Sequence, residues 1–401
     1  SMERRHSVVI VGGGTAGITV ASQLKKKDRN LDVAIIEPSE DHFYQPIWTL
    51  IGGGVFDKKI SKRKMVDYIP KGVTWIKDYA ASFSPKENFV TTKSGDDIHY
   101  DYMVVAPGIQ LDWDKVKGLP EALGKGGVCS NYGYERAEYT WEVLRNLKKG
   151  RALFTQPNTP VKCGGAPQKI MYLTADHLRL NGHLDDVDIQ FMSPGETVFG
   201  VEKFRLALLK VLDRYGIKFN YRKNLVEIKG AENIAVFEVT DTYGNMELQE
   251  EHYDMIHVVP PQSAPDFVKS SGLCDEEGWV DVDNGTLQHN HFPNIFSLGD
   301  VSGTTKAKTG AAIRKQAPVV STNLMELIRQ GKITSKKVYN GYSSCPLVTG
   351  YGKLILAEFD YDNNPDPSFP FEMAKERKSM YLLKTKILPI LYWSGMLKGR
   401  A

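Results

Sequence analysis

Three glycines and a later acid near the amino terminus have the types and spacing needed to bind a dinucleotide. They form Gly12-x-Gly14-x-x-Gly17, and Glu37 follows 20 residues after the last glycine. Gly12 permits a tight turn, Gly14 lets the backbone approach a pyrophosphate, and Gly17 lets a helix pack closely on a strand. Glu37 would accept hydrogen bonds from a ribose and would repel a 2′-phosphate. The pattern predicts a site for NAD or FAD.

The elements around this motif predict a βαβ unit. Val8–Val11 is a short apolar strand, a helical pattern covers about residues 18–27, and a second strand, Val33–Ile36, leads into Glu37. The helix amino terminus would then offer N–H groups and a positive dipole end to the phosphates. A glycine motif alone is weak, but these flanking elements make it specific.

Two distant segments favour FAD. Tyr102–Pro107 is an apolar strand that ends at Gly108, and Asn294–Leu298 is another that ends in Gly299-Asp300. Flavoproteins with two dinucleotide folds have similar turns at these places, and their aspartate binds the ribityl chain of the flavin. The order of these turns after the glycine motif therefore predicts an FAD site.

The middle of the chain repeats the alternation of strand and helix. The predicted elements are strands at Ala152–Thr155, Val187–Met192 and Ile217–Tyr221, and helices at about 167–181 and 201–215. The first of these strands runs into residues 156–165, which lack a second glycine-rich phosphate turn and carry Cys163 instead. A nicotinamide electron donor is therefore not expected.

These patterns predict an α/β protein with two Rossmann-like dinucleotide-binding domains. We expect residues 1–150 and 286–340 to form the FAD-binding domain. Residues 151–285 would form the second Rossmann-like domain, and residues 341–401 a C-terminal region that carries Cys345.

The end of the chain predicts an amphipathic region that associates with a membrane. Apolar and aromatic residues alternate with lysines, and Pro389 interrupts the run, which suits a segment lying in a membrane surface. An amphipathic helix packed on the protein's own core is the alternative. The residues expected on the apolar face are Tyr381, Leu382, Leu388, Leu391, Tyr392 and Trp393. The lysines expected to face the headgroups are Lys384, Lys386 and Lys398.

Composition and charge exclude several other classes. The 401 residues predict two to three domains, and 51 Lys and Arg against 48 Asp and Glu give a net charge of +3. Disordered, collagenous and polytopic membrane proteins are excluded, and no basic run indicates nucleic acid. Cys129, Cys163, Cys274 and Cys345 are too sparse for a disulfide scaffold, and no CxxC pair indicates zinc, so no metal is expected.

Three further stretches carry a resemblance to a known family. They are His42-Phe43-Tyr44-Gln45-Pro46, the run VKCGGAPQK at 161–169, and SCPLVTG at 344–350. With them the chain resembles the sulfide:quinone oxidoreductases, in particular the mitochondrial type, over nearly its whole length. The resemblance implies an FAD enzyme that oxidises hydrogen sulfide, reduces ubiquinone, and hands sulfane sulfur to a thiol such as glutathione or to sulfite. It also implies a monotopic position on the mitochondrial inner membrane, with a targeting segment not present in this chain.

The resemblance also assigns site residues. Cys163 and Cys345 match the redox-active disulfide, with Cys345 as the sulfur carrier and Cys163 as the thiol facing the flavin. Hydrosulfide is a soft nucleophile that attacks disulfide sulfur, and Lys162 would lower the pKa of the neighbouring thiol. Lys308 and a helix amino terminus would stabilise negative charge on the reduced ring. Matched FAD positions, besides the glycine motif and Glu37, are Thr15, Ala16, Gln45, Ala80, Gly108, Asp300, Lys308, Thr309, Gly310 and Ala311.

Several alternatives stay open at this point. A type II NADH:quinone dehydrogenase shares the fold, flavin and quinone but should carry a second glycine-rich turn near residue 156. A non-catalytic, redox-sensing flavoprotein would not need both Cys163 and Cys345. A flavocytochrome-type sulfide dehydrogenase would tether its flavin through a cysteine near position 42, where His42 stands, so we expect non-covalent FAD. Cys129 lies near a third cysteine of bacterial family members, or is a buried small residue.

Overall fold

One mixed sheet and one parallel sheet form the framework of the computed structural model, which describes residues 3–162, 164–304, 308–334 and 337–400. The strands are β1 Glu3–Val11, β2 Val33–Ile36, β3 Asp41–Phe43, β4 Lys62–Lys64, β5 Thr74–Ile76, β6 Ala80–Ser84, β7 Phe89–Thr92, β8 Asp97–Val105, β9 Gln110–Leu111, β10 Val128–Cys129, β11 Gly150–Thr155, β12 Val187–Met192, β13 Lys218–Asn220, β14 Lys223–Lys229, β15 Ile234–Thr240, β16 Met246–His252, β17 Met255–His257, β18 Gln262–Ser263, β19 Ile295–Ser297, β20 Ser343–Gly350 and β21 Lys353–Phe359. The helices are α1 Thr15–Lys27, α2 Trp48–Gly52, α3 Leu119–Ala122, α4 Ala137–Asn146, α5 Ala166–Leu180, α6 Glu202–Tyr215, α7 Asp266–Lys269, α8 Gly310–Gln330, α9 Lys378–Leu382 and α10 Leu388–Ile390.

The first sheet has the strand order β5-β2-β1-β8-β7-β6, and β19 also pairs with β8. β1 is central: Ile10 pairs with Ile35 of β2 and with Val104 of β8, both in parallel. These residues are fully buried, as expected for strands covered by helices on both faces. Because β1, β8 and β19 are parallel, their carboxyl ends meet at one edge, where ligands bind in such sheets. The predicted βαβ unit is confirmed.

The second sheet has the order β10-β17-β11-β12-β13, and all of its strands are parallel. The helices predicted at about 167–181 and 201–215 are present as α5 and α6. β10 comes from residues 128–129, inside the range predicted for the first domain. β14, β15 and β16 form a separate antiparallel sheet.

The C-terminal region begins with two antiparallel strands, β20 and β21, which we call the ribbon. Residues 378–398 then form α9, a π-helical turn at Leu383–Ile387, α10, a second π-helical turn at Leu391–Gly395 and a final turn at Met396–Lys398. We call these residues the C-terminal segment. It packs on α1, where the Ser22 hydroxyl donates to the Leu397 carbonyl at 2.6 Å. Among the described residues, none of the helices has both the length and the apolar character needed to cross a membrane.

Candidate active site

The glycine turn between β1 and α1 has the geometry that the sequence predicted. Gly12 has φ +107°, and a Cβ on it would lie 2.2 Å from the Ala106 carbonyl oxygen. A Cβ on Gly17 would lie 1.8 Å from the Gly12 carbonyl oxygen, so the helix could not pack there with any other residue. Gly14, in contrast, has open space where its Cβ would be. The turn therefore packs tightly against backbone at Gly12 and Gly17 and is open toward the cavity at Gly14.

Glu37 follows β2 and faces the same turn. Its carboxylate accepts hydrogen bonds from the Gly13 N–H at 2.9 Å and from the Ser39 N–H at 2.8 Å. Burial raises the pKa of Glu37, and these two N–H donors partly oppose that rise. The carboxylate retains lone pairs for further donors, such as ribose hydroxyls.

The ends of β8 and β19 supply the opposite side of the site. Gly108 has φ +78° and open space at its Cβ position. Asp300 follows β19, and burial raises its pKa while the positive charges of Lys162 and Lys308 lower it. The structure thus places Gly108 and Asp300 at the sheet edge that also holds the glycine turn.

The start of α8 adds a cation and a helix amino terminus. Lys308 is buried, its Nζ donates to the Ser302 carbonyl at 3.1 Å and lies 3.8 Å from the centre of the Trp279 ring. Burial lowers the pKa of Lys308 to about 8, and Asp300 and Asp275 oppose this fall. The Thr309 hydroxyl caps the helix by accepting from the Ala312 N–H at 3.0 Å.

These parts surround one cavity of about 680 Å³. Most predicted residues line it, namely Gly14, Thr15, Ala16, Glu37, Gln45, Gly108, Asp300, Lys308, Thr309, Gly310 and Ala311. Within the described chain, Gly12, Gly17, Ala80 and Cys345 do not line the cavity. Gly12 and Gly17 act in the packing of the turn. Ala80 begins β6, which pairs with β7, and its side chain is buried outside the cavity wall.

The cavity wall fits a bound dinucleotide. Gly14, Gly108 and Gly310 each have open space where a side chain would stand, so backbone is presented to the cavity. Asn131, which sequence reasoning missed, is 5% exposed and lines the cavity. Neither atom of its amide has a hydrogen-bond partner among the described residues. A buried, unsatisfied amide is costly, which is expected where a ligand completes the hydrogen bonds. No motif marks Asn131 in the sequence.

A chain of hydrogen bonds ties the C-terminal segment to the glycine turn. The Tyr392 hydroxyl lies 2.7 Å from Thr15 Oγ1 and 2.5 Å from His42 Nε2, and His42 Nδ1 donates to the Gly13 carbonyl at 3.2 Å. Burial lowers the pKa of His42 to about 4, so the ring is neutral and Nε2 accepts from Tyr392. His42 belonged to a motif quoted from the sequence, but its role and that of Tyr392 were missed.

The expected outward face of the C-terminal segment was partly wrong. Tyr392 and Trp393 are buried, and Lys384 is buried with its Nζ donating to the Pro46 carbonyl at 3.1 Å. These side chains therefore join the core, because the segment winds through π-helical turns that a regular helical pattern does not anticipate. The large apolar side chains that the segment does expose are Leu382, Ile387, Ile390 and Leu391.

The ribbon separates two environments. Ser344 pairs with Glu358 and Pro346 with Leu356, and these four residues line the cavity. Cys345 pairs with Ala357 and faces the other way, because side chains alternate along a strand.

Cys345 faces the start of α5. A Cβ built on Gly165 would lie 3.6 Å from Cys345 Cβ and 2.7 Å from Leu347 Cδ2. Cys163 itself lies outside the described residues. Its neighbour Lys162 lines the cavity and donates through Nζ to the Gln45 side-chain oxygen. Lys162, directly before position 163, thus lines the cavity, and Gly165, two residues after it, lies against Cys345.

The other two cysteines lie elsewhere. Cys129 is fully buried in β10, its thiol donates to the Ile256 carbonyl at 3.5 Å, and burial raises its pKa to about 12. Cys274 is half-buried, and burial raises its pKa as well. Neither lines the cavity. Cys129 therefore has the environment of a buried small residue rather than a reactive thiolate.

Comparison with known proteins defines the class first. Residues 6–164 match the family described as pyridine nucleotide-disulphide oxidoreductase. The solved structure of the sulfide:quinone oxidoreductase from the bacterium Aquifex aeolicus is similar over 100% of this chain and 92% of that one, with a TM-score of 0.82 and 21% identity. The fold is thus that of two-dinucleotide-domain flavoproteins.

Curated relatives then give the family. The mitochondrial sulfide:quinone oxidoreductase of Dictyostelium discoideum is 50% identical over 98% of this chain and 86% of its own length. The mouse protein of the same name is 45% identical over 99% of this chain and 87% of its own. The chain belongs to the sulfide:quinone oxidoreductase family. It is an FAD-dependent oxidoreductase, and this membership favours the main interpretation over the NADH dehydrogenase and the non-catalytic flavoprotein.

Proposed function

We propose that the chain oxidises hydrogen sulfide and passes two electrons to ubiquinone. The observation that carries the proposal is the ribbon, which holds Cys345 against the start of α5 on one face and forms the cavity wall on the other. The missing phosphate turn at residues 156–165 supports sulfide rather than a nicotinamide as the electron donor.

The sulfur chemistry uses a disulfide between Cys163 and Cys345. Hydrosulfide attacks Cys345, the S–S bond breaks, Cys345 becomes a persulfide and Cys163 leaves as a thiolate. Lys162, the neighbour of Cys163, lines the cavity, whereas Cys345 lies on the opposite face of the ribbon, which supports Cys163 as the thiol closer to the flavin and Cys345 as the sulfur carrier. Transfer of the sulfane sulfur to a thiol or to sulfite would leave Cys345 as a thiolate, and the disulfide would re-form as the cysteine pair passes its two electrons to bound FAD.

The glycine turn and the opposite sheet ends would hold non-covalent FAD, which supplies a two-electron carrier when bound. Gly13 and Gly14 with the α1 amino terminus suit the pyrophosphate, and Glu37 suits the adenosine ribose. Asp300 suits the ribityl chain, and Lys308 with the α8 amino terminus would stabilise negative charge on the ring. Gln45, Gly108, Thr309, Gly310 and Ala311 complete the wall. Ala80, which does not line the cavity, stays a prediction from the resemblance.

The quinone would enter beneath the C-terminal segment. Leu383, Leu388, Leu391 and Met396 of this segment line the cavity. Leu391 is also among the exposed apolar residues, so the apolar surface is continuous with the cavity. We infer that Leu382, Ile387, Ile390 and Leu391 contact the surface of the mitochondrial inner membrane and that long-tailed quinone enters there.

Anaerobic steady-state assays test this function. Purified protein with bound FAD is mixed with ubiquinone analogue, sulfite, and either sulfide or NADH, and quinone absorbance is followed. We expect quinone reduction that depends on sulfide and yields thiosulfate. Quinone reduction that depends on NADH and is indifferent to sulfide would contradict the proposal.

A further inference from the structure

A buried carboxylate on the cavity face of the ribbon has no part in the chemistry described so far. Glu358 is 2% exposed and lines the cavity with Leu356, Pro346 and Phe369. Removing a carboxylate from water costs free energy unless hydrogen bonds or opposite charges replace its hydration. Such a group in a mainly apolar wall is expected to have a function.

Neutral donors hold this carboxylate in place. The Tyr342 hydroxyl donates to Glu358 Oε2 at 2.5 Å, the Ser368 N–H donates to Oε1 at 2.9 Å, and the Ser368 hydroxyl also donates to Oε2. Among the described residues, none of the ion pairs includes Glu358.

Ser368 connects this carboxylate to water. Ser368 is an exposed residue of the loop after β21, so a solvent molecule can donate to its hydroxyl while this hydroxyl donates to Glu358. A hydrogen-bonded path thus crosses the cavity wall, from bulk water through Ser368 Oγ to Glu358 Oε2 beside the cavity. Tyr342 is a fixed donor in this arrangement, because burial and the adjacent Glu358 raise the pKa of its phenol to about 12.

The polar and charged groups near Glu358 and Tyr342 come from α8, from the loop after β21 and from the residues before β20. Arg314 and Lys315 of α8 lie 5.9 and 5.6 Å from the centre of the Tyr342 ring. Asp366, in the loop after β21, donates its N–H to the Glu358 carbonyl at 3.0 Å. The Tyr339 hydroxyl, before β20, donates to the Tyr342 carbonyl at 2.5 Å. Arg314 and Lys315 thus lie against the ring of the tyrosine whose hydroxyl donates to Glu358.

We propose that Glu358 and Ser368 form the path by which protons reach the quinone. The inference rests on the proposed function, in which the quinone occupies this cavity. Reduction of a quinone to a quinol takes up two electrons, delivered by sulfide oxidation, and two protons. For each proton, the Glu358 O–H bond breaks as a quinol O–H bond forms. The carboxylate then takes a proton from the Ser368 hydroxyl, which takes one from water.

Half-reactions separate this role from a structural one. Protein reduced anaerobically by sulfide is mixed with a short-tailed quinone, and flavin reoxidation is followed. For Glu358→Gln we expect a fall of about 100-fold in reoxidation, the scale of general acid catalysis, with sulfide-driven reduction unchanged. Ser368→Ala should slow reoxidation less, and Glu358→Asp should recover part of the rate. Glu121→Gln, at an exposed residue of α3, is the matched control and should leave both rates unchanged.

Chemical rescue gives a readout that a structural role would not move. In Glu358→Ala, added acetate should restore reoxidation in proportion to its concentration, while chloride at the same ionic strength should not. Normal reoxidation by Glu358→Gln, or equal slowing of both half-reactions with no rescue, would overturn the inference. Wild-type protein that sulfide fails to reduce would instead contradict the proposed function itself.

Discussion

The two faces of the ribbon share one backbone but differ in their surroundings. On one face, Cys345 and Leu347 are packed against Gly165 and are closed off from the cavity. On the other, Ser344, Pro346 and Glu358 line a cavity that reaches the exposed C-terminal segment. Because side chains alternate, adjacent residues serve opposite environments. If the proposed function holds, the ribbon lies between Cys345 and the quinone entrance, so variants on one face should affect one half-reaction at a time.

The largest expected effect lies on the sulfur face. Cys163→Ser or Cys345→Ser should abolish sulfide:quinone turnover, because the disulfide electrophile is lost. FAD should stay bound, since neither substitution changes the glycine turn, and acid should release it as free flavin. Steady-state turnover and flavin content are the measurements. Normal turnover in the variant that carries both Cys163→Ser and Cys345→Ser would contradict the proposed disulfide chemistry.

Substitutions at the proposed quinone entrance should affect membrane binding and the reaction with quinone, but not the reaction with sulfide. Serine at Leu382, Ile387, Ile390 and Leu391 should release the protein from liposomes and raise the apparent KM for long-tailed quinone about tenfold, since each buried methylene contributes roughly 0.8 kcal/mol. Reduction by sulfide should not change.

Leu206→Ser with Leu209→Ser, on exposed positions of α6, is the matched control for this test. If both half-reactions fell together in the C-terminal variant, the four residues would be part of the folding core, and the proposed entrance would be wrong.

The pH dependence of stability tests the link between the cavity face and the glycine turn. The pKa of His42 is lowered from 6.5 to about 4 by burial, so the unfolded chain binds a proton more readily than the folded one. The stabilisation is complete above pH 6.5 and should decline by about 3 kcal/mol as the pH falls to 4. Urea unfolding of wild type and His42→Gln should show a shallower decline for the variant; identical slopes would contradict the assignment.

A smaller effect is expected when the Tyr392 hydroxyl is removed. Tyr392→Phe leaves Thr15 and His42 without this partner, which should cost about 1–3 kcal/mol of unfolding free energy and weaken retention of FAD. Tyr243→Phe, on an exposed residue, should leave both quantities unchanged. Thermal unfolding and flavin release measure them, and an unaltered Tyr392→Phe protein would show that this contact does not hold the C-terminal segment.

The smallest effects are expected at the cysteines outside the ribbon. Cys274→Ser should be nearly silent in turnover. Cys129→Ala should lower stability by about 1 kcal/mol through the lost buried sulfur, with little change in sulfide oxidation. A large loss of turnover in Cys129→Ala would extend the sulfur chemistry beyond the two cysteines of the proposal.

The nucleotide half of the site could be predicted from the sequence because its signals are local. Gly12, Gly14, Gly17 and Glu37 lie within one βαβ unit. The backbone requires glycine at positions 12 and 17, and Gly14 leaves open space beside the turn. Helix and strand positions in both sheets followed from the same short-range patterns. Gly108 and Asp300 could be predicted because each follows an apolar strand, in the order that flavoproteins with two dinucleotide folds show along the chain.

The other half could not be predicted, because it depends on contacts between distant residues. Tyr392 reaches Thr15 and His42 across more than 300 positions, and the π-helical turns that bury Tyr392 and Lys384 leave no simple periodicity. The face to which Cys345 points follows from the register of β20 with β21. Asn131 and Glu358 are single polar residues whose burial is visible only in the folded chain.

Sequential anaerobic mixing tests the separation of the two faces most directly. Sulfide should bleach the flavin of the wild-type protein, quinone should restore its absorbance, and NADH should do neither. The Cys345→Ser protein should resist bleaching by sulfide, yet after reduction by dithionite it should be reoxidised by quinone at the wild-type rate. Bleaching of Cys345→Ser by sulfide at the wild-type rate, or bleaching of either protein by NADH, would contradict the account.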